Sequence, residues 1–244
     1  MTKVIFTGPS IASEEAAALV PGALVLGPVA CGDVYRAMKH EPSLIAIVDG
    51  YFDQRLSVWH KEILWAIAHG VHVCGAASMG ALRAAELGDY GMHGVGKIFE
   101  WFRDEVLEDD DEVVLTHQPA ERGYAANSEA MVNIRATLQH AAETGTISGG
   151  LATALITAAK RLFYPERRWE VLLHLVRGTA VPSELERLRD WLRAGNRVDQ
   201  KRLDALELFR HVRSTDLTRD RDPKFTFEYT EAWHTLRTRI DQAS

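Results

Sequence analysis

Short apolar runs alternate with longer amphipathic stretches through the first half of the chain. Val4–Phe6, Ala23–Leu26, Leu44–Val48 and Val71–Cys74 are aliphatic or β-branched and bounded by turn residues, which predicts four strands. Between them lie three predicted helices. One covers Ser13–Val20. A second runs from Asp33, as N-cap, to Lys39. A third begins after Ser57 and stops at Gly70, which suits the position just past a helix end. Strands alternating with helices imply right-handed crossovers. The pattern therefore predicts an α/β fold: an open, mostly parallel Rossmann-like sheet in the N-terminal half, followed by a helical C-terminal region.

From Ser128 onward the period changes to that of helices alone. Ser128–Thr144, Gly149–Phe163, Glu166–Gly178, Ser183–Ala194, Asp199–Val212 and Thr230–Ile240 are the expected helices, with Pro182 marking a stop and restart. The interval before them reads as a helix at Ile98–Glu105, an acidic turn, and a strand at Val113–Thr116. The expected organisation is an α/β core over residues 1–125 and a helical region over 126–244 that packs on the core or docks a partner.

Composition narrows the function classes. With 46% hydrophobic and 25% charged residues among 244, the chain has enough apolar surface for a packed core. A formal charge of −6 argues against a general nucleic-acid binder. Two cysteines, Cys31 and Cys74, exclude a disulfide scaffold and a Cys-only zinc site. No apolar run reaches the roughly 18 residues of a membrane span, and no export signal is recognisable, so a cytoplasmic location is expected. Charge is split: residues 161–244 hold 17 Lys+Arg, 15 of them Arg, against 14 Asp+Glu. Such a tail is either a set of solvated helix faces or an Arg-rich docking surface for an acidic partner.

Ligands of open parallel sheets bind beyond the carboxyl ends of the strands. Those ends lead into Thr7-Gly8-Pro9-Ser10, Gly27-Pro28-Val29, Asp49-Gly50-Tyr51-Phe52 and Gly75-Ala76-Ala77-Ser78-Met79-Gly80. Ser78 falls on a strand-to-helix turn between small residues, close to the G-x-S-x-G nucleophile elbow with Ala76 in place of the first glycine. The candidate catalytic set is Ser78 with His60 or Lys61 as base and Asp49 as orienting carboxylate. The amides of Met79 and Gly80 are the candidate oxyanion hole. Gly8, Ser10, Asp33, Arg83 and Glu86 complete the expected substrate-binding set, although Arg83 and Glu86, three apart on one helix, are equally suited to pair with each other. The competing reading of Ser78 is a simple helix cap. Cys74 is expected to be buried and inert. The acidic run Glu108–Glu112 reads as a surface turn rather than a metal site, because it lacks the spacing of a calcium loop. Glu129 and Asn133, four apart and next to Arg135, form a polar helix face. Trp169, Trp191 and Trp233 are expected in the helical core. Thr7–Ser10 as a phosphate loop is the weakest reading, since it has neither the lysine nor the glycine spacing of such loops.

With these residues in view, the chain resembles the TfuA-like family. The resemblance rests on Phe6-Thr7-Gly8-Pro9-Ser10, Gly32-Asp33-Val34, Asp49-Gly50-Tyr51-Phe52 and His60-Lys61-Glu62-Ile63. It is strongest in Gly75-Ala76-Ala77-Ser78-Met79-Gly80-Ala81-Leu82-Arg83-Ala84-Ala85-Glu86-Leu87, and extends through Gly91–Gly96 and Asp111-Glu112-Val113. It covers about residues 3–120 well, 128–164 more loosely, and the last 80 little. The resemblance implies work beside a YcaO-type enzyme in making peptide backbone thioamides, as part of peptide modification. It implies a hydrolase that releases sulfide from the C-terminal thiocarboxylate of a ThiS-like sulfur carrier, with a precursor peptide as the final acceptor and no cofactor. The alternative is a non-catalytic accessory that docks to the YcaO enzyme and promotes peptide binding.

Overall fold

The computed structural model describes residues 2–214, 223 and 225–242. The chain divides into two units, residues 1–108 with 202–244, and residues 109–201.

The first unit is built on a parallel sheet. Its strands are β1 (Thr2–Phe6), β2 (Leu24–Leu26), β3 (Pro42–Ile47), β4 (His72–Gly75) and β5 (His93–Gly94), in the order β2-β1-β3-β4-β5. The α/β architecture with a helical second half is as the pattern predicts. Every residue of β3 is buried, as a central strand covered on both faces requires. Alternation decides the faces. Val4, Phe6, Ile45, Ile47 and Val73 pack with Ile63 and Ala66 of α3 (His60–Ala68) and with Ala84 and Leu87 of α4 (Met79–Leu87). Ile5, Leu44, Ala46 and Cys74 point the other way. They meet Ala16 of α1 (Ser13–Leu19) and Ala205, Leu208, Phe209 and Val212 of α10 (Gln200–Ser214). Helices α2 (Asp33–Ala37), α5 (Lys97–Arg103) and α11 (Glu231–Gln242) complete this unit.

The second unit holds α6 (Met131–Glu143), α7 (Gly149–Arg161), α8 (Trp169–Leu175) and α9 (Pro182–Arg193). Met131, Ile134 and Leu138 of α6, Leu151 and Leu155 of α7, Trp169 and Leu172 of α8, and Leu188 and Leu192 of α9 make its core.

Local expectations differ at three points. Val113–Thr116 is not a strand: Asp110–Glu112 form a 3-10 turn and Val113 and Val114 are buried after it. Strand β5 is too short to show any alternation. Asp33 is the first residue of α2 rather than its cap. Gly32, at φ 89°, takes the cap position, and the Asp33 carboxylate accepts instead from the Ala30 amide at 2.8 Å.

The acidic run is also more than a solvated turn. Glu112 is 3% exposed and binds Arg135 through two bonds of 2.9 Å. Lys160 reaches Glu112 at 2.9 Å and Asp109 at 3.0 Å, and both Lys160 and the buried Arg167 bond to Asp111. On the next helix face, Asn133 bridges Glu129 and Asp199 at 3.1 Å each. The Trp169 indole also donates to Glu129, at 3.3 Å.

One contact sets how α4 meets the sheet. A Cβ on Gly80 would lie 1.8 Å from the Ile47 carbonyl oxygen, and one on Gly75 would lie 2.1 Å from the Gly80 oxygen. Both glycines let backbone meet backbone. Gly80→Ala is expected to cost more than about 2 kcal/mol in urea unfolding, an overpacking penalty against a rigid carbonyl. Gly88→Ala, where nothing lies within 4 Å of the new methyl and φ is −56°, should be neutral or stabilising by about 0.5 kcal/mol.

Candidate active site

The strand order reverses its direction of growth at β1, so the crevice beyond β1 and β3 is the usual place for a ligand. Here a side chain of the protein fills it. Asp49, 1% exposed, follows β3 and accepts three hydrogen bonds from the loop after β1. The amides of Gly8 and Ser10 donate to Oδ2 at 2.9 and 3.0 Å, and the Ser10 hydroxyl donates to Oδ1 at 2.7 Å. The nest that a phosphate would occupy already holds a carboxylate, which removes the phosphate-loop reading. Gly8, Ser10 and Asp49 are brought together, with Asp49 tying down a loop.

The turn after β4 is tight. Ala77 has φ 67°, and the Ser78 amide donates to the Ala76 carbonyl at 2.7 Å, which closes a γ-turn. Ser78 occupies the cap position of α4, yet its side chain caps nothing, so the simple cap is not its role. Among the described residues no hydrogen bond reaches its hydroxyl, and the residue is 2% exposed. The two expected oxyanion donors part company. Gly80 N–H is spent on the Val48 carbonyl at 3.3 Å, because α4 is pressed onto the strand ends, while Met79 N–H keeps no carbonyl among the described residues.

The expected assistants of Ser78 lie elsewhere. His60 Nε2 is bonded to Glu86 Oε2 at 2.8 Å. Glu86 is eight residues beyond Ser78, about 12 Å along α4. Lys61 places its ammonium 4.5 Å from the Phe227 ring centre, a cation–π contact. Among the described residues no hydrogen bond joins Ser78 to His60, Lys61 or Asp49.

A different cluster assembles. Arg83 Nη1 donates to Glu86 Oε2 at 2.6 Å and Arg83 Nε to the Val58 carbonyl at 3.2 Å. The carboxylate is thus gripped from two sides. Burial works against its charge, but the His60 hydrogen bond and the Arg83 cation outweigh it and hold the Glu86 carboxyl below its ordinary range. The His60 side chain stays 41% exposed. A half-exposed imidazole oriented by a carboxylate, which a guanidinium orients in turn, is the arrangement of a general acid–base group.

Glu62 carries more than the charge pattern suggests. It is 0% exposed, with Oε1 accepting from Gly32 and Trp59 amides at 2.9 Å each and Oε2 from Val34 and Tyr35 amides at 3.1 and 3.3 Å. It thereby satisfies the first turn of α2 from outside the helix. Burial pushes its carboxyl up to about 7, against the pull of the amides of Gly32, Trp59 and Tyr35. A sequence signal existed: Trp59-x-x-Glu62 has the spacing of a capping box. Cys74 is fully buried and burial drives its thiol up to about 12, as an inert residue should be. Cys31 is half-buried and its thiol is also raised, by burial and then by the charges of Glu62 and Asp33. Among the described residues no group of three or more metal-ligating side chains converges, and no helix is long and apolar enough to cross a membrane.

Residues 49–168, which contain Asp49, His60, Ser78, Arg83 and Glu86, match the family model described as TfuA-like protein. No curated protein matches the chain.

Two stability outcomes follow from these carboxylates. Asp49→Ala leaves three buried donors unpaired and is expected to cost on the order of 2–4 kcal/mol in urea unfolding. For Glu62 the folded state holds the proton more tightly than the unfolded chain. Its contribution is therefore fully present below pH about 4.5 and lost as pH rises through about 7. Denaturation midpoints between those pH values should fall more steeply for the wild type than for Glu62→Gln.

Proposed function

We propose, on the premise that the chain belongs to the TfuA-like family across residues 49–168 and so serves YcaO-dependent thioamidation, that it hydrolyses the C-terminal thiocarboxylate of a ThiS-like carrier. The observation that carries this reading is the His60–Glu86–Arg83 relay, with 2.8 and 2.6 Å bonds converging on one carboxylate oxygen.

In this reading Glu86 orients His60 and Arg83 holds Glu86 in place. His60 hands a proton to the sulfur as the anionic tail docks. It then takes one back from the water that attacks the carbonyl carbon. The C–O bond forms, the C–S bond breaks, and sulfur leaves as hydrosulfide. Thiocarboxylate and water become carboxylate, hydrosulfide and a proton. Hydrosulfide is a good leaving group, so one acid–base side chain suffices. The YcaO-type enzyme then installs the sulfur in a precursor peptide.

A second reading, an accessory that docks to the YcaO enzyme and promotes peptide binding, is favoured by one feature. The small-residue turn most specific to the sequence presents a 2% exposed serine with no base on it.

The test is sulfide release from a thiocarboxylated carrier. His60→Gln should lower the rate at least about 100-fold, the usual worth of a general acid–base group, with an unchanged melting temperature. Ser78→Ala should stay within about threefold. Full activity in His60→Gln would overturn the relay. No hydrolysis by the wild type, together with stimulated thioamidation when free sulfide is supplied, would establish the accessory role instead.

A further inference from the structure

In the second unit, Trp169, Leu173 and Leu192 form the apolar floor of a cavity of about 210 Å³. Arg177, Arg189, Arg193, Arg197 and His174 also line it, with a single carboxylate, Glu170. The arginines are poorly matched within the protein. Arg193 approaches Asp190 only at 3.8 Å, with both side chains more than 70% exposed, and Arg197 lies 5.9 Å from the Trp169 ring centre. Among the described residues Arg177 and Arg189 make no ion pair. Arg189 and Arg193 are also four apart on α9, a like-charge pairing that weakens a helix. Glu129 also feels the charge of Arg197, but four guanidiniums share this concavity with one lining carboxylate, an excess of positive charge suited to an anion.

The geometry points to an extended acidic peptide segment as that anion, held with alternate carboxylates over the floor. Arg189 and Arg193 are about 6 Å apart along the helix axis. Side chains on one face of an extended chain repeat every ~6.6 Å. The two spacings match, so successive same-face carboxylates meet successive arginines, each able to accept two bonds from a guanidinium fork. The residue between them points away. The stems of the arginines with Leu173 and Leu192 offer apolar surface to the peptide backbone. The site lies in one unit and owes nothing to the His60 relay, so it stands or falls independently of the hydrolytic reading.

The experiment is fluorescence anisotropy of a labelled peptide of four Glu-Ala repeats, titrated with the full chain. Binding is expected, with none for the Gln-Ala counterpart. Arg189→Gln with Arg193→Gln should weaken it at least tenfold. Arg161→Gln, an exposed cation outside the cavity, should leave it unchanged. Three results would overturn the proposal: equal weakening by Arg161→Gln, binding of the neutral peptide, or displacement of the acidic peptide by inorganic phosphate at a lower concentration than by free glutamate.

Discussion

The close approach of the first turn of α4 to the ends of β3 and β4 governs the rest of the N-terminal unit. Gly80 has to sit where any side chain would strike the Ile47 carbonyl, and Gly50 packs so closely that a Cβ would lie 2.7 Å from Met79 Cγ. Once that backbone contact is made, the chain leaving β4 has too little room for an ordinary loop. It turns through Ala77 in the left-handed region and delivers Ser78 to the head of α4 with its hydroxyl unused. The run of small residues from Gly75 to Gly80 is explained by this packing. A nucleophile elbow uses the same residue types for a similar reason, and that is why the two are alike in sequence.

A second constraint recurs around the sheet. Backbone amides at loop and helix starts, which in many parallel sheets are left for a bound anion, are here satisfied by the protein's own carboxylates. Asp49 serves the loop after β1 and Glu62 serves the start of α2. Asp204 serves the start of α5, accepting from the Ile98 amide at 2.7 Å. Gly96 lies so close to Asp204 that a Cβ would sit 2.5 Å from its carboxyl carbon. Each such pairing is worth more than a neutral hydrogen bond because the acceptor is charged and water is excluded. The price is burial of the charge, and Glu62 displays it by holding its proton to near neutrality. Glu86 and His60 differ from these carboxylates in staying partly open to solvent, with 37% and 41% of their side chains exposed.

Much of the fold was legible in the sequence, and the limits have physical causes. The strand runs were readable because Val4–Phe6 and Leu44–Val48 are buried on both faces and therefore continuously apolar. The end of α3 at Gly70, with φ 77°, was readable because a positive φ there selects glycine. Strand β5 has two residues and carries no period. Val113 and Val114 are buried apolar neighbours, and burial alone does not distinguish a strand from the exit of a 3-10 turn. At the site, the Arg83–Glu86 pair follows from helical spacing. The attachment of His60 to Glu86 spans 26 residues, and only the packing of α3 on α4 creates it. Glu62 was obscured in the opposite way: its capping-box spacing from Trp59 is local, but a carboxylate beside Lys61 on a helix looks solvated, and only the packing of α2 on α3 brings the amides of Gly32, Val34 and Tyr35 onto it.

The electrostatics of the relay bear on the reading of its chemistry. With His60 neutral, the formal charges of Arg83 and Glu86 cancel, and the cluster offers nothing to an anion. A thiocarboxylate is an anion, and hydroxide-like attack on it is opposed by its own charge. In the proposed hydrolysis the imidazole gives the thiocarboxylate sulfur a proton, and that transfer neutralises the approaching charge. That same proton, passed to sulfur, converts the repelled anion into a neutral thioacid whose carbonyl accepts water and whose sulfur departs readily. In that proposed cycle Glu86 is the orienting carboxylate: burial raises its carboxyl, but the His60 hydrogen bond and the Arg83 guanidinium hold it below its ordinary range. A neutral or freely titrating residue at that position would let the imidazole lose either its orientation or its proton at the moment of docking. In the proposed hydrolysis, a carboxylate held low by its partners is what allows one imidazole to act first as acid and then as base.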